Sequence, residues 1–112
     1  MLIIAFAPKT SKILPKILCR HFKHCAVIVR DQDEFIMYQF IARKKIEQIK
    51  LKTRDVSLLG QQGWKFVYLP CSVKHNFDPK RAWNCVDMSK RALGIKSYAI
   101  QTPWALYKFL NA

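Results

Sequence analysis

In Trp83-Asn84-Cys85-Val86-Asp87-Met88, an irregular basic stretch of the chain gives way to a strongly helical pattern. The pattern predicts a helix that runs from about Asn84 to Leu93, and Gly94 is a natural residue to end it. Cys85 then lies in the first turn, where backbone N–H groups have no intrahelical partner and the helix dipole lowers the pKa of a thiol. A thiol at a helix start can act as a nucleophile.

A second stretch opens with His24, which stands directly before the apolar run Cys25-Ala26-Val27-Ile28-Val29. This run is rich in β-branched residues, and the turn signal Asp31-Gln32-Asp33 separates it from Glu34–Ala42, so the two segments are predicted to form a hairpin. An imidazole at the start of the first strand would project toward the Cys85 thiol. The histidine and the cysteine therefore indicate one site.

The rest of the pattern predicts an α+β domain. Residues 2–7 and 64–69 are expected strands, and the partly alternating segment 46–51 is a third strand or an edge. Helical spacing favours a short helix within 10–22, and Thr102-Pro103 matches the N-cap and first position of a closing helix. We expect an antiparallel sheet of about four or five strands packed against the cysteine-bearing helix, with the C-terminal helix completing the layer.

The composition is that of a folding chain with a strongly basic surface. The 112 residues fit a single domain, 1–112, and 51% of them are hydrophobic, which provides for a core. There are 20 Lys and Arg against 7 Asp and Glu, a net charge of +13, which predicts attraction to nucleic acid, anionic lipid or an acidic cell wall. Because the basic residues are spread over most of the chain, the charge identifies no partner by itself.

The cysteines, at positions 19, 25, 71 and 85, form no C-x-x-C pair. No signal-peptide pattern and no apolar stretch near the ~20 residues of a membrane helix is recognisable, so we expect a cytoplasmic protein with free thiols and no transmembrane segment. The stretch from Cys19 to Cys25 holds four candidate zinc ligands. However, the adjacent His24 and Cys25 would point to opposite sides of a strand. Neither a metal nor another cofactor is expected.

A cysteine hydrolase needs a thiolate, an imidazole and a polar group that orients the imidazole. Cys85 would attack a carbonyl carbon while its backbone N–H donates to the oxyanion, and His24 would act as base and then as acid. Gln39, on the strand that follows His24, offers an amide oxygen for the third role, and Glu34 is the charged substitute. Trp83, close to the nucleophile, would line a substrate cleft. The competing interpretation is structural, with Cys85 as a small buried hydrophobe.

These features together resemble a known family. A histidine directly before a strand, a hairpin partner with Tyr38-Gln39-Phe40, the Asn84-Cys85 helix start and the Thr102-Pro103 helix look like the circularly permuted papain-fold hydrolases. These are the YiiX-like and lecithin:retinol acyltransferase-like relatives of the NlpC peptidases, in which His precedes Cys in the chain. The resemblance covers most of the chain and implies a papain-like fold with an antiparallel sheet packed against the nucleophile-bearing helix.

The resemblance also implies roles for individual residues. Cys85 would be the nucleophile, His24 the base and Gln39 the polar third member, a position that varies in the family and that Glu34 or Tyr38 would occupy after a shift of register. We expect Tyr38 and Trp83 to bind substrate.

Substrates in this family are amides, thioesters and lipid acyl esters. Peptide or cell-wall amides are the first expectation for this chain, and lipid acyl groups are the second. The alternative is a non-catalytic basic protein of the same fold that contacts nucleic acid or anionic surfaces. The chain is short for the family, and its charge of +13 is not part of the family pattern. A small basic domain of this kind would suit a bacterial virus or mobile element.

Overall fold

The computed structural model describes residues 1–7 and 24–112, and the helix expected within 10–22 lies outside them. The described residues form an α+β fold around a five-stranded antiparallel sheet, as expected. The strands are β1 (Leu2–Ala7), β2 (His24–Asp31), β3 (Glu34–Ala42), β4 (Lys45–Leu51) and β5 (Lys65–Leu69). Their order in the sheet is β4-β3-β2-β1-β5. The helices are α1 (Thr53–Gln61), α2 (Cys85–Leu93) and α3 (Pro103–Leu110), with a short 3-10 helix at Pro79–Arg81.

The hairpin of β2 and β3 is confirmed, and its register decides which side chains face the helices. Asp31 opposes Glu34 at the turn, and further along the hairpin Val27 opposes Tyr38. Gln32 adopts the left-handed conformation that closes the turn, with φ 57°. Residues that oppose each other in an antiparallel pair point to the same face, and successive residues point to opposite faces. The backbone pairing therefore assigns each side chain of the hairpin to a face.

The two faces of the sheet bury different clusters. The α2 face packs against α2 and α3 and buries Leu2, Ile4, Phe6, Cys25 and Val27 together with Val86, Met88 and Leu106. The opposite face, which we call the α1 face because Leu59 of α1 packs there, buries Ile3, Ala5, Ala26, Ile28 and Met37. Strand β1 is buried along its whole length, which explains why its sequence is a continuous apolar run rather than an alternating one.

Helix α1 is not predicted by the sequence pattern, which indicates only a turn at residues 60–63 before β5. The helix begins where the Asp55 carboxylate accepts the backbone N–H of Lys52 at 2.8 Å. Val56 is buried, and Leu59 packs against the α1 face. Gly60 weakens the helical pattern in the sequence, yet a Cβ there would lie 3.6 Å from the Phe66 ring, so the helix passes close to β5. Tertiary packing therefore outweighs the low helix propensity of this segment.

Helix α2 begins and ends where the sequence predicts, and α3 begins where it predicts. The Asn84 side chain accepts the Asp87 N–H at 2.7 Å, and Gly94 ends α2 in the left-handed conformation with φ 76°. The Thr102 hydroxyl accepts the Ala105 N–H at 3.1 Å at the start of α3. In the part of the chain that the structure describes, no helix is both long and apolar enough to cross a membrane.

Phe6 offers a direct test of the core on the α2 face. Its side chain is fully buried, and its ring meets Tyr107 of α3 edge to face, with the ring centroids 5.2 Å apart. We expect Phe6→Ala to lower the free energy of unfolding by about 3–5 kcal/mol, because it removes the ring and leaves a cavity. Urea unfolding measures this loss. Tyr98→Ala is the control, because Tyr98 is 91% exposed, and its effect should stay within about 0.5 kcal/mol. Equal effects of the two variants would contradict the assignment.

Candidate active site

Cys85 is the first residue of α2, and the helix start is held by a small set of hydrogen bonds. In addition to the Asn84 cap, the Asp87 carboxylate accepts the Trp83 N–H at 2.9 Å and the Arg91 Nε at 3.0 Å. The Cys85 side chain is half-buried, so it borders the core and still meets solvent. Its backbone N–H has no acceptor among residues 1–7 and 24–112. The N–H is therefore available to donate to an oxyanion that forms at the thiol.

Two fully buried side chains lie beside this helix start. Cys25 of β2 belongs to the α2 face, and its Sγ lies 3.5 Å from the Oγ of Ser89. Ser89 is one helical turn after Cys85, and its hydroxyl donates to the Cys85 carbonyl oxygen at 3.0 Å. Neither Cys25 nor Ser89 has exposed surface. Strand β2 and helix α2 are thus joined by polar contacts directly below the thiol of Cys85.

The surroundings of Cys85 hold its pKa well below the usual range of a thiol. The largest cause is a hydrogen bond from the Cys25 thiol, whereas burial acts in the opposite direction and raises the pKa. His24 lowers the pKa through a hydrogen bond and through its positive charge, and the Cys25 backbone adds a further hydrogen bond. The site therefore favours the thiolate, which is the reactive form of cysteine.

His24 lies close to Cys85 in the structure. His24 is the first residue of β2 and pairs with Ala7, the last residue of β1. Its side chain is half-buried, and the imidazole is close enough to Cys85 to lower the thiol pKa. This position at the end of a strand, beside the start of a helix, allows the imidazole and the thiolate to form an ion pair.

Gln39 and Glu34 are the two residues expected to orient the imidazole. Gln39 opposes Glu47 of β4, and alternation along β3 puts it with Met37 on the α1 face, away from α2. Among the described residues, Gln39 makes no hydrogen bond to His24. Glu34 lies at the turn end of the hairpin, and β2 begins with His24 at the other end. Glu34 likewise makes no hydrogen bond to the imidazole in that part of the chain.

Tyr38 lies on the α2 face of the sheet. It opposes Val27, and its ring meets Phe77 edge to face with the centroids 6.0 Å apart. The side chain is half-buried and packs against the cluster that also contains Cys25. Tyr38 is therefore on the side of the sheet that packs against α2, the helix that begins with Cys85.

Trp83 is 63% exposed, two residues before Cys85. The guanidinium carbon of Arg43, from the turn between β3 and β4, lies 3.2 Å from the centroid of its ring. This arrangement is a cation–π contact. An exposed aromatic ring and a cation thus lie together at the start of α2, where the sequence analysis expects a substrate cleft.

No group of three or more His, Cys, Asp or Glu side chains within 1–7 and 24–112 is arranged to hold a metal ion. Cys19 and His21, from the stretch considered for zinc, lie outside those residues. Cys71 and Cys85 are free thiols, and Cys71 is exposed. Cys71 therefore serves as an internal reference for the reactivity of Cys85.

Sequence reasoning did not assign a site role to Cys25, Ser89 or Arg43. The signal for Ser89 is its spacing, because a residue four positions after Cys85 lies on the same helix face. Strand alternation predicts that the Cys25 and His24 side chains point to opposite faces of the sheet. It does not predict which of the two faces packs against α2. Arg43 carried no signal beyond its charge, since its contact with Trp83 depends on how the β3–β4 turn meets the start of α2.

Cys25→Ala tests the main cause of the lowered pKa. The substitution removes the thiol that donates to Cys85, so the pKa of Cys85 rises and less thiolate is present at neutral pH. We expect the pH profile of Cys85 alkylation by iodoacetamide to move to higher pH, and Cys25→Ser, which keeps a donor, to move it less. Mass spectrometry of peptides gives the rate at each cysteine. Profiles for Cys25→Ala and the unaltered protein that superimpose would show that Cys25 does not stabilise the thiolate.

Comparison with known proteins returns no relative for this chain. No family model, no curated protein and no solved structure matches it. The fold class and the contacts around Cys85 come from the structure of this chain and not from similarity to another protein. The permuted papain-like assignment rests on the residues named in the sequence analysis and is a proposal.

Proposed function

We propose that the protein is a cysteine-dependent hydrolase that cleaves an amide or an acyl ester through a thioester intermediate. The observation that carries the proposal is the position of Cys85, at the first residue of α2 and beside His24. The lowered pKa of Cys85 supports the proposal, because it increases the fraction of the thiol that is present as the reactive thiolate. Three properties needed for nucleophilic attack therefore coincide at one residue: ionisation, access to solvent and a proton donor nearby.

In the first half of the proposed reaction, the Cys85 thiolate attacks the carbonyl carbon of the substrate. A C–S bond forms while the C=O π electrons move to oxygen, and the Cys85 N–H donates a hydrogen bond to the resulting oxyanion. When the intermediate collapses, the bond to the leaving nitrogen or oxygen breaks. Protonated His24 gives its proton to that leaving group. The products of this half are a thioester on Cys85 and a free amine or alcohol.

In the second half, water hydrolyses the thioester. Neutral His24 removes a proton from the water, whose oxygen attacks the thioester carbonyl carbon, and the same N–H donates to the second oxyanion. The C–S bond then breaks and the carboxylic acid leaves. Cys85 returns as a thiolate and His24 as an imidazolium, which restores the starting ion pair.

The proposed fold is the circularly permuted papain-like fold. Support comes from the antiparallel sheet, from the packing of α2 on it, and from the order in which His24 precedes Cys85 in the chain. Peptide or cell-wall amides are the first proposed substrates, and lipid acyl esters are the second. The free thiols of Cys71 and Cys85 agree with a reducing compartment such as the cytoplasm.

An acyl-enzyme experiment tests the proposed function. The protein is mixed with a nitrophenyl acetate, quenched in acid, and analysed by intact-mass and peptide mass spectrometry. We expect one acetyl group on Cys85, a burst of nitrophenolate equal to the protein concentration, and slower steady turnover. Cys71→Ser should behave like the unaltered protein. Acetylation of Cys71 as fast as Cys85, with no turnover, would contradict the proposal.

A second candidate function, binding of a polyanion, is favoured by a basic cavity. The cavity, of about 600 Å³, is lined by the cationic residues Lys74, Arg81, Lys90, Arg91 and Lys96. The Lys90 ammonium is bound to two backbone carbonyl oxygens, and Arg91 pairs with Asp87 at 3.0 Å. The positive charge that remains is therefore that of Lys74, Arg81 and Lys96, opposed by the carboxylate of Asp78, which also lines the cavity.

A salt series with duplex DNA separates the two candidates. Binding that persists above ~0.2 M salt and weakens in a Lys74→Gln, Lys96→Gln double variant would favour the binding function. The matched control is Lys44→Gln, Lys45→Gln, which removes the same charge outside the cavity. Loss of binding by ~0.2 M salt, equally in both double variants, would mean general charge attraction.

A further inference from the structure

The Arg43 guanidinium contacts the face of the Trp83 ring, and this contact leaves the N–H groups of the guanidinium free to form hydrogen bonds. A guanidinium that lies over an aromatic face retains five N–H donors in its own plane. Within 1–7 and 24–112, no carboxylate pairs with Arg43. The contact with Trp83 at 3.2 Å also restricts the side chain, so binding an anion would cost less side-chain entropy than it would for a free arginine.

The start of α2 fixes where this cation lies. Trp83 precedes the cap residue Asn84, and its backbone N–H is bound by the Asp87 carboxylate at 2.9 Å. On the other side, Arg43 belongs to a tight turn in which Ala42 opposes Lys45 and Lys44 has φ 64°. Both partners of the cation–π contact are therefore held by local backbone structure, and the contact lies two residues from the nucleophile.

The neighbouring acid does not neutralise Arg43. Asp87 already accepts hydrogen bonds from the Trp83 N–H and from Arg91, at 2.9 and 3.0 Å. The net charge of +13 adds a positive potential around the site. An anionic group that approaches Cys85 would consequently meet an unpaired guanidinium and little opposing charge.

We propose that Arg43, held against Trp83, selects acyl substrates that carry an anionic oxygen group, a carboxylate or a phosphate, near the bond to be cleaved. The inference rests on the proposed hydrolase function and names its substrate class. The guanidinium fork forms two parallel hydrogen bonds with such a group, and Lys in its place provides charge without the fork. Trp83 keeps the fork in position and offers its remaining exposed surface to the substrate.

Three esters test this selectivity: a neutral nitrophenyl acetate and the same ester with a carboxylate or a phosphonate on its ring. We expect Arg43→Gln to lower kcat/KM for an anionic ester by about tenfold or more and to change the neutral ester by less than about twofold. The anionic ester whose kcat/KM falls more in Arg43→Gln identifies the group that Arg43 recognises. Arg43→Lys should restore part of the loss, and Lys45→Gln is the matched control for charge. Equal losses for all three esters in Arg43→Gln would overturn the proposal.

Binding measurements separate failure of this inference from failure of the hydrolase function. Ether analogues of the three esters, which cannot be cleaved, are titrated calorimetrically into the Cys85→Ala protein with Arg43 intact or replaced by Gln. Tighter binding of an anionic analogue that disappears in Arg43→Gln supports anion recognition, even if no ester is hydrolysed and the hydrolase function fails. Equal affinity for all three analogues overturns the role of Arg43, even if Cys85-dependent hydrolysis is observed.

Discussion

Cys85→Ala is expected to reduce hydrolysis of an activated ester by roughly 10³-fold or more, because it removes the nucleophile and prevents formation of the thioester. The remaining rate would come from binding and from the N–H groups at the start of α2, which the substitution retains. Steady-state kinetics with a nitrophenyl acetate measures the loss, and intact-mass spectrometry confirms that no acyl group is transferred. Cys85 is half-buried and Ala is a good helix former, so the variant should fold.

Cys71 provides the control for this experiment. It is exposed and free, and no role is assigned to it, so Cys71→Ala should keep the full rate. Circular dichroism and urea unfolding of both variants would show whether the fold is intact. A folded Cys85→Ala protein that hydrolyses the ester at more than a tenth of the original rate would exclude Cys85 as the nucleophile.

His24→Gln is the second large effect, with an expected loss of about 10²–10⁴-fold in kcat. Glutamine fills a similar space and can form hydrogen bonds, but it cannot carry the proton to the leaving group or remove one from water. The variant also lacks the positive charge that helps to lower the pKa of Cys85, so that pKa rises. The rate should therefore fall at all pH values, and the acid side of the pH profile should move to higher pH.

Gln39→Ala is the control variant for His24→Gln. Gln39 lies on the α1 face, and among the described residues it does not hydrogen-bond to the imidazole. We expect this variant to retain kcat within about threefold. If the loss in Gln39→Ala matched that in His24→Gln, the two side chains would act together. The orientation of the β3 side chains in solution would then differ from that described above.

Local patterns predict much of this fold. The apolar run of β1, the turn between β2 and β3, the helix start near Asn84 and the capping residue Thr102 depend on neighbours in sequence. Each appears where it is expected. Helix α1 is the exception. Its glycine and its short length weaken the helical pattern in the sequence, and packing against Phe66 and the α1 face stabilises the helix. The order of the strands required long-range pairing that no local pattern contains.

The site was predictable in part for the same reason. Cys85 and His24 are marked by their positions at the start of a helix and of a strand, which are local properties. The face of the sheet that Gln39 occupies depends on the register of β3, and a shift by one residue reverses it. Cys25, Ser89 and Arg43 acquire their contacts only when β2, α2 and the β3–β4 turn come together.

The alkylation rate of Cys85 as a function of pH tests the central claim most directly. A thiol with an ordinary pKa near 8.5 is mostly protonated at pH 6.5, whereas a thiol with a lowered pKa has a larger ionised fraction at the same pH. We expect iodoacetamide to modify Cys85 faster than Cys71 at pH 6.5, because the lowered pKa gives Cys85 the larger thiolate fraction. A rate at Cys85 no faster than that at Cys71, with both rising in parallel toward pH 9, would contradict the account.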